Sequence, residues 1–199
     1  MIKGRAAGLV AVFLLVIAIV AGGLSAYQAY SARLNPNFEG LEDLQSVEEF
    51  ATSFDIEQGK PRLVLLMSPT CPVCVAGANW VEKNILDAYP EADISVLAVY
   101  FNMYPGDQKN EWDPIIIDDP RVSHYWNEGR HLGKWYASEG VYTRFGGQIA
   151  WDMFILYGPD TIWEDGTQSI VSSGATIIRE KDLLFDSMLP YLESEESGL

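Results

Sequence analysis

Positive charge is scarce in this chain of 199 residues: 13 Lys plus Arg stand against 28 Asp plus Glu, a formal charge of −15. Every acidic residue lies at or beyond Glu39, so residues 39–199 carry ten basic against 28 acidic side chains, a balance of −18. A surface that tracks phosphates needs a basic stripe, and this deficit excludes nucleic acid as a partner. Cysteine occurs twice, at Cys71 and Cys74, too few for a disulfide framework, and a chain of this length builds a core without one. Histidine also occurs twice, at His124 and His131. There is no internal repeat or low-complexity block, and no flavin or nicotinamide fingerprint, so no organic cofactor is expected. With 48% hydrophobic and 12% aromatic residues, the acidic portion is too apolar for a disordered tail and is expected to fold.

Charge is missing altogether from Ala6 through Ala32, and the most apolar part of that run, Ala6 to Ala26, reads AAGLVAVFLLVIAIVAGGLSA. Twenty-one helical residues at about 1.5 Å each span about 31 Å, enough for a bilayer core. A cleaved signal peptide is the alternative, but its apolar stretch is about 7–15 residues. Leu24 also spoils the small-residue spacing before Ala26, and Tyr27 and Tyr30 suit interfacial anchors. Residues 1–33 are therefore expected to form one uncleaved transmembrane anchor. Lys3 and Arg5 ahead of it place the N-terminus in the cytoplasm and the remainder of the chain on the extracytoplasmic side of the cell membrane.

Residues 34–45 read as a tether, punctuated by Asn35-Pro36-Asn37 and Gly40. Ser46 and Glu49 form a capping box ahead of the apolar face Val47, Phe50, Ala51 and Phe54. Leu63–Met67 is a continuous apolar run suited to a strand buried on both faces. Ser68-Pro69-Thr70 then turns into Cys71-Pro72-Val73-Cys74, after which Val75–Tyr89 is expected to be a helix that Pro90 closes, and Ile94–Phe101 is a second buried strand. Strand, helix, strand implies a parallel pair with a right-handed crossover. Asp119 with Pro120 predicts a helix running to Ser138, with Val122, Tyr125, Trp126, Leu132 and Tyr136 on one face and both histidines on the other. Trp151–Tyr157 reads as a strand, Gly158-Pro159-Asp160 as a hairpin turn into Thr161–Trp163, and Gln168–Ser173 as a further short strand. A last helix spans Glu180–Leu189 with Leu183, Leu184, Met188 and Leu189 inward, and residues 193–199 form a frayed tail.

This order, with Cys71 and Cys74 between the first core strand and the following helix, resembles the thioredoxin-like superfamily over roughly Phe38 to Leu192. The resemblance implies an α/β three-layer sandwich over residues 46–192, a mixed sheet with helices on both faces, carrying an insertion at 102–150 that is read as helical. It also implies a redox-active pair acting on protein thiols and disulfides together with a separate redox partner. The family usually has a cis proline at the start of the hairpin strand, facing the cysteines. No proline lies between Pro120 and Pro159, and counting back from Gly158 puts Asp152 at that place.

A helix N-terminus presents unpaired N–H groups and partial positive charge, so a thiolate at Cys71 is stabilised there. Cys71 is expected to be the exposed nucleophile and Cys74, one turn inward, the resolving thiol. Pro72 presets the backbone at the helix start. A purely structural disulfide is the plainer alternative, yet closing four residues contributes only about 2 kcal/mol against about 4.7 for a 100-residue loop. Asp152 is expected either to accept a proton from Cys74, to complete a metal site with the two thiolates, or to cap a turn. Neither histidine is expected to ligate metal. A metal-binding or assembly factor resembling copper-handling thioredoxin-like proteins is the second reading, though those use a CxxxC pair with a distal His. Tyr104, Trp112, Tyr125, Trp126, Trp135, Tyr136 and Tyr142 are candidates for a groove beside the cysteines. Arg121, Arg130 and Arg144 are candidates for holding an anion, with surface ion pairs as the plainer role.

Overall fold

The architecture follows from which residues can be buried on two faces at once. A computed structural model describes residues 40–109, 116–141 and 147–193. Along the chain run β1 (Leu41–Asp43), α1 (Val47–Ile56), β2 (Arg62–Met67), α2 (Pro72–Val81, continued by a π-helical turn Glu82–Leu86), β3 (Ser95–Tyr100), β4 (Val122–Trp126), α3 (His131–Ser138), β5 (Met153–Tyr157), β6 (Ile170–Ala175) and α4 (Lys181–Leu192). The six strands form one sheet in the order β1-β4-β3-β2-β5-β6. The first four strands in that order are parallel; β5 pairs antiparallel with β2, and β6 antiparallel with β5.

β2, β3 and β5 are buried at every residue, and the period of two sorts their side chains between two cores. Leu63, Leu65, Met67, Val96, Ala98, Tyr100, Phe154 and Leu156 pack with residues of α2 and α4. Val64, Leu66, Leu97, Val99, Phe101, Met153, Ile155 and Tyr157 pack with α1 and α3. Each such side chain taken fully out of water contributes about 1.5–3 kcal/mol, which makes these three strands the fixed frame. Helices on both faces of a mixed sheet, with the cysteine pair between a central strand and the next helix, give the thioredoxin-like fold.

Four expectations need correction. Residues 119–138 are not one helix: Val122–Trp126 is β4, parallel to β3 and inserted between it and β1. Val122 and Trp126 face one core and Tyr125 the other, an alternation that an i, i+3, i+4 reading of the same residues conceals. The helix begins only at His131, after Asn127 has donated from Nδ2 to Leu44 O (2.6 Å) and accepted at Oδ1 from Leu132 N (3.1 Å). Secondly, Gly158-Pro159-Asp160 does not close a tight hairpin. The chain leaves the sheet through a 3-10 segment, Trp163–Ser169, because Trp163 packs on Phe50, Phe54 and Trp135 with ring centroids 5.2, 5.3 and 4.6 Å away. The buried Arg62 guanidinium ties that departure down, donating to the carbonyls of Gly158 (2.7 Å), Pro159 (3.2 Å) and Thr161 (2.8 Å).

Thirdly, α4 runs to Leu192 with Leu184, Met188 and Leu192 buried at a four-residue spacing, whereas Leu183 is exposed. Finally, the segment read as tether supplies β1 at the sheet edge, its part before Gly40 lying outside the described residues. Half of the expected capping box forms: Ser46 Oγ accepts from Glu49 N at 3.2 Å, while Glu49 Oε2 accepts from Gln45 N (2.7 Å), one residue before the N-cap. Among the described residues no helix is long and apolar enough to cross a membrane; the expected anchor, residues 1–33, lies outside them.

Candidate functional site

β2 ends at Met67, and the chain turns through Ser68, Pro69 and Thr70 with Cys71 N donating to Ser68 O at 3.2 Å. That turn delivers Cys71 to the N-cap of α2 with extended backbone (φ −76°, ψ 113°), and Pro72 occupies the first turn, where a missing N–H leaves nothing unpaired. Cys71 Sγ accepts from Cys74 N at 3.4 Å, the role a serine or aspartate plays at an ordinary N-cap. Both cysteines are free thiols. The expected exposure of Cys71 does not hold: it is 4% exposed and Cys74 1%. Its sulfur is turned back over the first helical turn, and Trp151 packs against the cluster that contains it.

Asp152 stands where the sequence placed it. It precedes β5, is 3% exposed and has φ +51°, a left-handed conformation that Asp and Asn tolerate better than other side chains. Its carboxylate and the sulfurs of Cys71 and Cys74 all lie within 4.8 Å of one another. Burial pushes the Cys74 thiol strongly upward, the Asp152 charge adds to this, and so does the hydrogen bond with Cys71. Cys74 is therefore held as a neutral thiol at neutral pH, with a carboxylate beside it.

Tyr104 is the aromatic candidate that the fold brings to this place. It is 45% exposed and edge-on to Trp151, with centroids 5.9 Å apart. Its phenol is pushed upward by desolvation first and then by the nearby sulfurs of Cys71 and Cys74. From Tyr104 an open groove of ≈ 440 Å³ runs along Asn102, Gln108, Lys109, Trp126 and Glu128. A larger groove, ≈ 630 Å³, lies between α2 and α4 along Trp80, Lys83, Tyr89, Lys181 and Phe185; neither groove is lined by Cys71, Cys74 or Asp152, and only the smaller one reaches a neighbour of the cysteines, Tyr104.

One residue was missed by sequence reasoning. Asp107, buried, accepts from Ser68 Oγ (2.7 Å), Thr70 Oγ1 (2.6 Å), Thr70 N (3.1 Å) and Tyr104 N (2.7 Å). It ties the turn that presents Cys71 to the segment that presents Tyr104. A Ser-x-Thr immediately before the cysteines was the available signal, but its partner lies 37 to 39 residues away.

Other candidates fall elsewhere. His124 is half-buried rather than on an open helix face: it lies on β4, stacked on Tyr100 (centroids 5.9 Å, 10° between planes) with Tyr100 Oη 3.0 Å from Nδ1, and burial lowers its pKa. His131 is exposed at the start of α3, and neither histidine joins the cluster of the cysteines and Asp152. Trp135 and Tyr136 belong to the core on the opposite face from the cysteines, where Tyr136 and Tyr157 hydroxyls are 3.0 Å apart. Arg121 is engaged structurally, with Asp119 at 2.7 Å and the carbonyls of Leu86 and Tyr89 each at 2.8 Å. Arg130 leads into α3 with φ +52°. Trp112, Tyr142 and Arg144 lie outside the described residues.

No family model and no curated protein matches the chain. Solved structures similar to it include a Bacteroides thetaiotaomicron protein provisionally assigned as a protein disulfide isomerase (14% identity, 71% of this chain and 79% of that one, TM-score 0.47). GPX1 of T. cruzi is similar at 16% identity (69% and 85% covered, TM-score 0.45), and the thioredoxin NaTrxh of Nicotiana alata at 12% (77% and 94%, TM-score 0.37). Likeness at this distance adds nothing to the strand order for the fold, and function has to be argued from the site.

Proposed function

We propose that this protein is a membrane-tethered, extracytoplasmic thiol–disulfide oxidoreductase in which Cys71 attacks, Cys74 resolves and Asp152 accepts the proton. The observation that carries this reading is the placement of the Cys71 sulfur at the head of α2, accepting the Cys74 N–H, with the Asp152 carboxylate within reach of both sulfurs. The N–H and the helix dipole favour negative charge on Cys71 Sγ. In the reducing direction the Cys71 thiolate attacks a substrate disulfide, one substrate sulfur leaves as a thiolate and takes up a proton, and a mixed disulfide remains. Cys74 then gives its proton to Asp152 and attacks Cys71 Sγ. The second substrate sulfur leaves, and two electrons have passed to the substrate while Cys71 and Cys74 become a disulfide. A separate donor restores the dithiol; in the oxidising direction the same steps run backwards. Protein thiols and disulfides are the substrates this implies, with the groove that begins at Tyr104 as the place where a chain would lie.

Insulin reduction by the full-length chain in mild detergent tests the reading. The parent is expected to be active, Cys71→Ser inactive, and Cys74→Ser trapped as a mixed disulfide with its substrate. An unchanged rate in the double Cys→Ser variant overturns it. The reduction potential then sets direction, a value near −120 mV marking an oxidant and one near −270 mV a reductant. The tether rests on the uncharged run Ala6–Ala32 behind Lys3 and Arg5. Protease added outside intact cells is expected to digest the folded domain and spare the N-terminus.

A further inference from the structure

Thiol exchange needs two sulfurs and a proton acceptor, but their arrangement here has the form of a ligand set. Cys71 Sγ, Cys74 Sγ and an Asp152 carboxylate oxygen lie within 4.8 Å of one another, on three buried residues. In a tetrahedral centre with metal–sulfur bonds of about 2.3 Å and metal–oxygen bonds of about 2.0–2.2 Å, neighbouring donors stand about 3.5–3.8 Å apart. The triangle closes on an ion with a contraction of about an ångström at its longest edge. The three donors are also held: Cys71 by the N-cap, Cys74 by the first turn of α2, and Asp152 by its place between Trp151 and β5.

Donor chemistry selects the ion. Two thiolates and one carboxylate suit a borderline-soft divalent cation; magnesium and calcium require oxygen ligands throughout, and copper(I) prefers sulfur alone. Three protein ligands leave a fourth position for water or a ligand from outside. The surrounding domain, at −18 over residues 39–199, draws cations toward it.

We propose that the reduced Cys71 and Cys74, together with Asp152, bind one thiophilic divalent cation of the zinc class, so that metal capture and disulfide formation exclude each other at one site. Binding releases whatever protons the two sulfurs still carry. When a substrate disulfide oxidises the metal-bound pair, the two sulfurs join, the substrate takes two electrons from them and two protons from water to become two thiols, and the ion leaves. The proposal rests on the redox reading only in requiring that the pair can be reduced.

The test uses the full-length chain in detergent, reduced with a phosphine and freed of reductant, with zinc or cadmium ion as the probe. One ion is expected per reduced chain and none per oxidised chain, and cadmium should give a thiolate charge-transfer band in the ultraviolet. Bound zinc is expected to protect both thiols from a chromogenic disulfide reagent. Asp152→Asn keeps the shape and the left-handed backbone, and Asp152→Gly tolerates φ +51° while removing the ligand. Each is expected to weaken zinc binding by about tenfold or more, with both thiols still titrating. If two thiols titrate and reduce insulin but zinc neither binds nor protects them, the metal site is overturned and the redox reading stands. If zinc binds both Asp152 variants as tightly as the parent, Asp152 is not a ligand and the proposal likewise fails. If the pair cannot be reduced at all, both readings fall together.

Discussion

Asp152 decides how the two sulfurs divide their work. A thiol raised by burial and by a neighbouring carboxylate does not ionise by itself at neutral pH, so Cys74 needs that carboxylate to take its proton as it attacks. Asp152→Asn is expected to slow the release of mixed disulfides by about 10²-fold or more, with little effect on their formation by Cys71. The variant then relies on hydroxide, and its resolution rate should rise about tenfold per pH unit between pH 7 and 9 while that of the parent changes less. Quenched-flow trapping of the intermediate measures both; equal resolution rates in parent and variant would refute the assignment. This residue was legible through the thioredoxin-like resemblance, which implies that the residue at the start of the hairpin strand faces the cysteines, and counting back from Gly158 puts Asp152 there. Asp107 was not legible, because its bonds to Ser68 and Thr70 exist only after β3 and the loop beyond it have folded back against the turn.

Between elements, two contacts fix how α2 and its cysteines are presented. Asp107 joins the turn before Cys71 to the segment carrying Tyr104, and its removal leaves one backbone N–H and two hydroxyls at Ser68 and Thr70, and the N–H of Tyr104, to find other partners. Asp107→Ala is expected to cost about 2–4 kcal/mol in denaturant unfolding and to shift the Cys71–Cys74 potential. An unchanged potential would make Asp107 structural only. Gly77 lies on the buried side of α2, where an added Cβ would stand 2.7 Å from Ile177 Cβ. Gly77→Ala is expected to cost about 1–3 kcal/mol by overpacking, and much less in an Ile177→Ala background, which a double-mutant cycle measures. Elements with one possible reading were legible: β2 and β3 fall within one residue of expectation, and α2 with its π-helical turn starts and ends three residues earlier than the expected Val75–Tyr89, because Pro72 already enters the helix. β4 was not, since Val122, Tyr125 and Trp126 fit one face of a helix as well as two faces of a strand, and only pairing with β3 separates the two.

Across the whole molecule, the buried ionisable groups make stability a function of redox state and pH. Cys74 is raised in the folded chain, whereas an unfolded thiol titrates near pH 8.5. Below that pH both states keep the proton and the native state has its full stability. Above it the unfolded chain gives up a proton that the native chain retains, so stability falls by up to about 1.4 kcal/mol per pH unit until the folded thiol itself ionises. Tyr136 and Tyr157 are also raised by burial, but their unfolded counterparts ionise only near pH 10, so the window from about 8.5 to 9.5 belongs to the thiol. The reduced parent is therefore expected to lose stability across that window faster than reduced Cys74→Ser, whose hydroxyl does not titrate there. Urea unfolding at half-unit pH intervals on both proteins reads the difference in slope. Parallel curves would mean that Cys74 is not held as a thiol by its surroundings, and Asp152 would then have no proton to take.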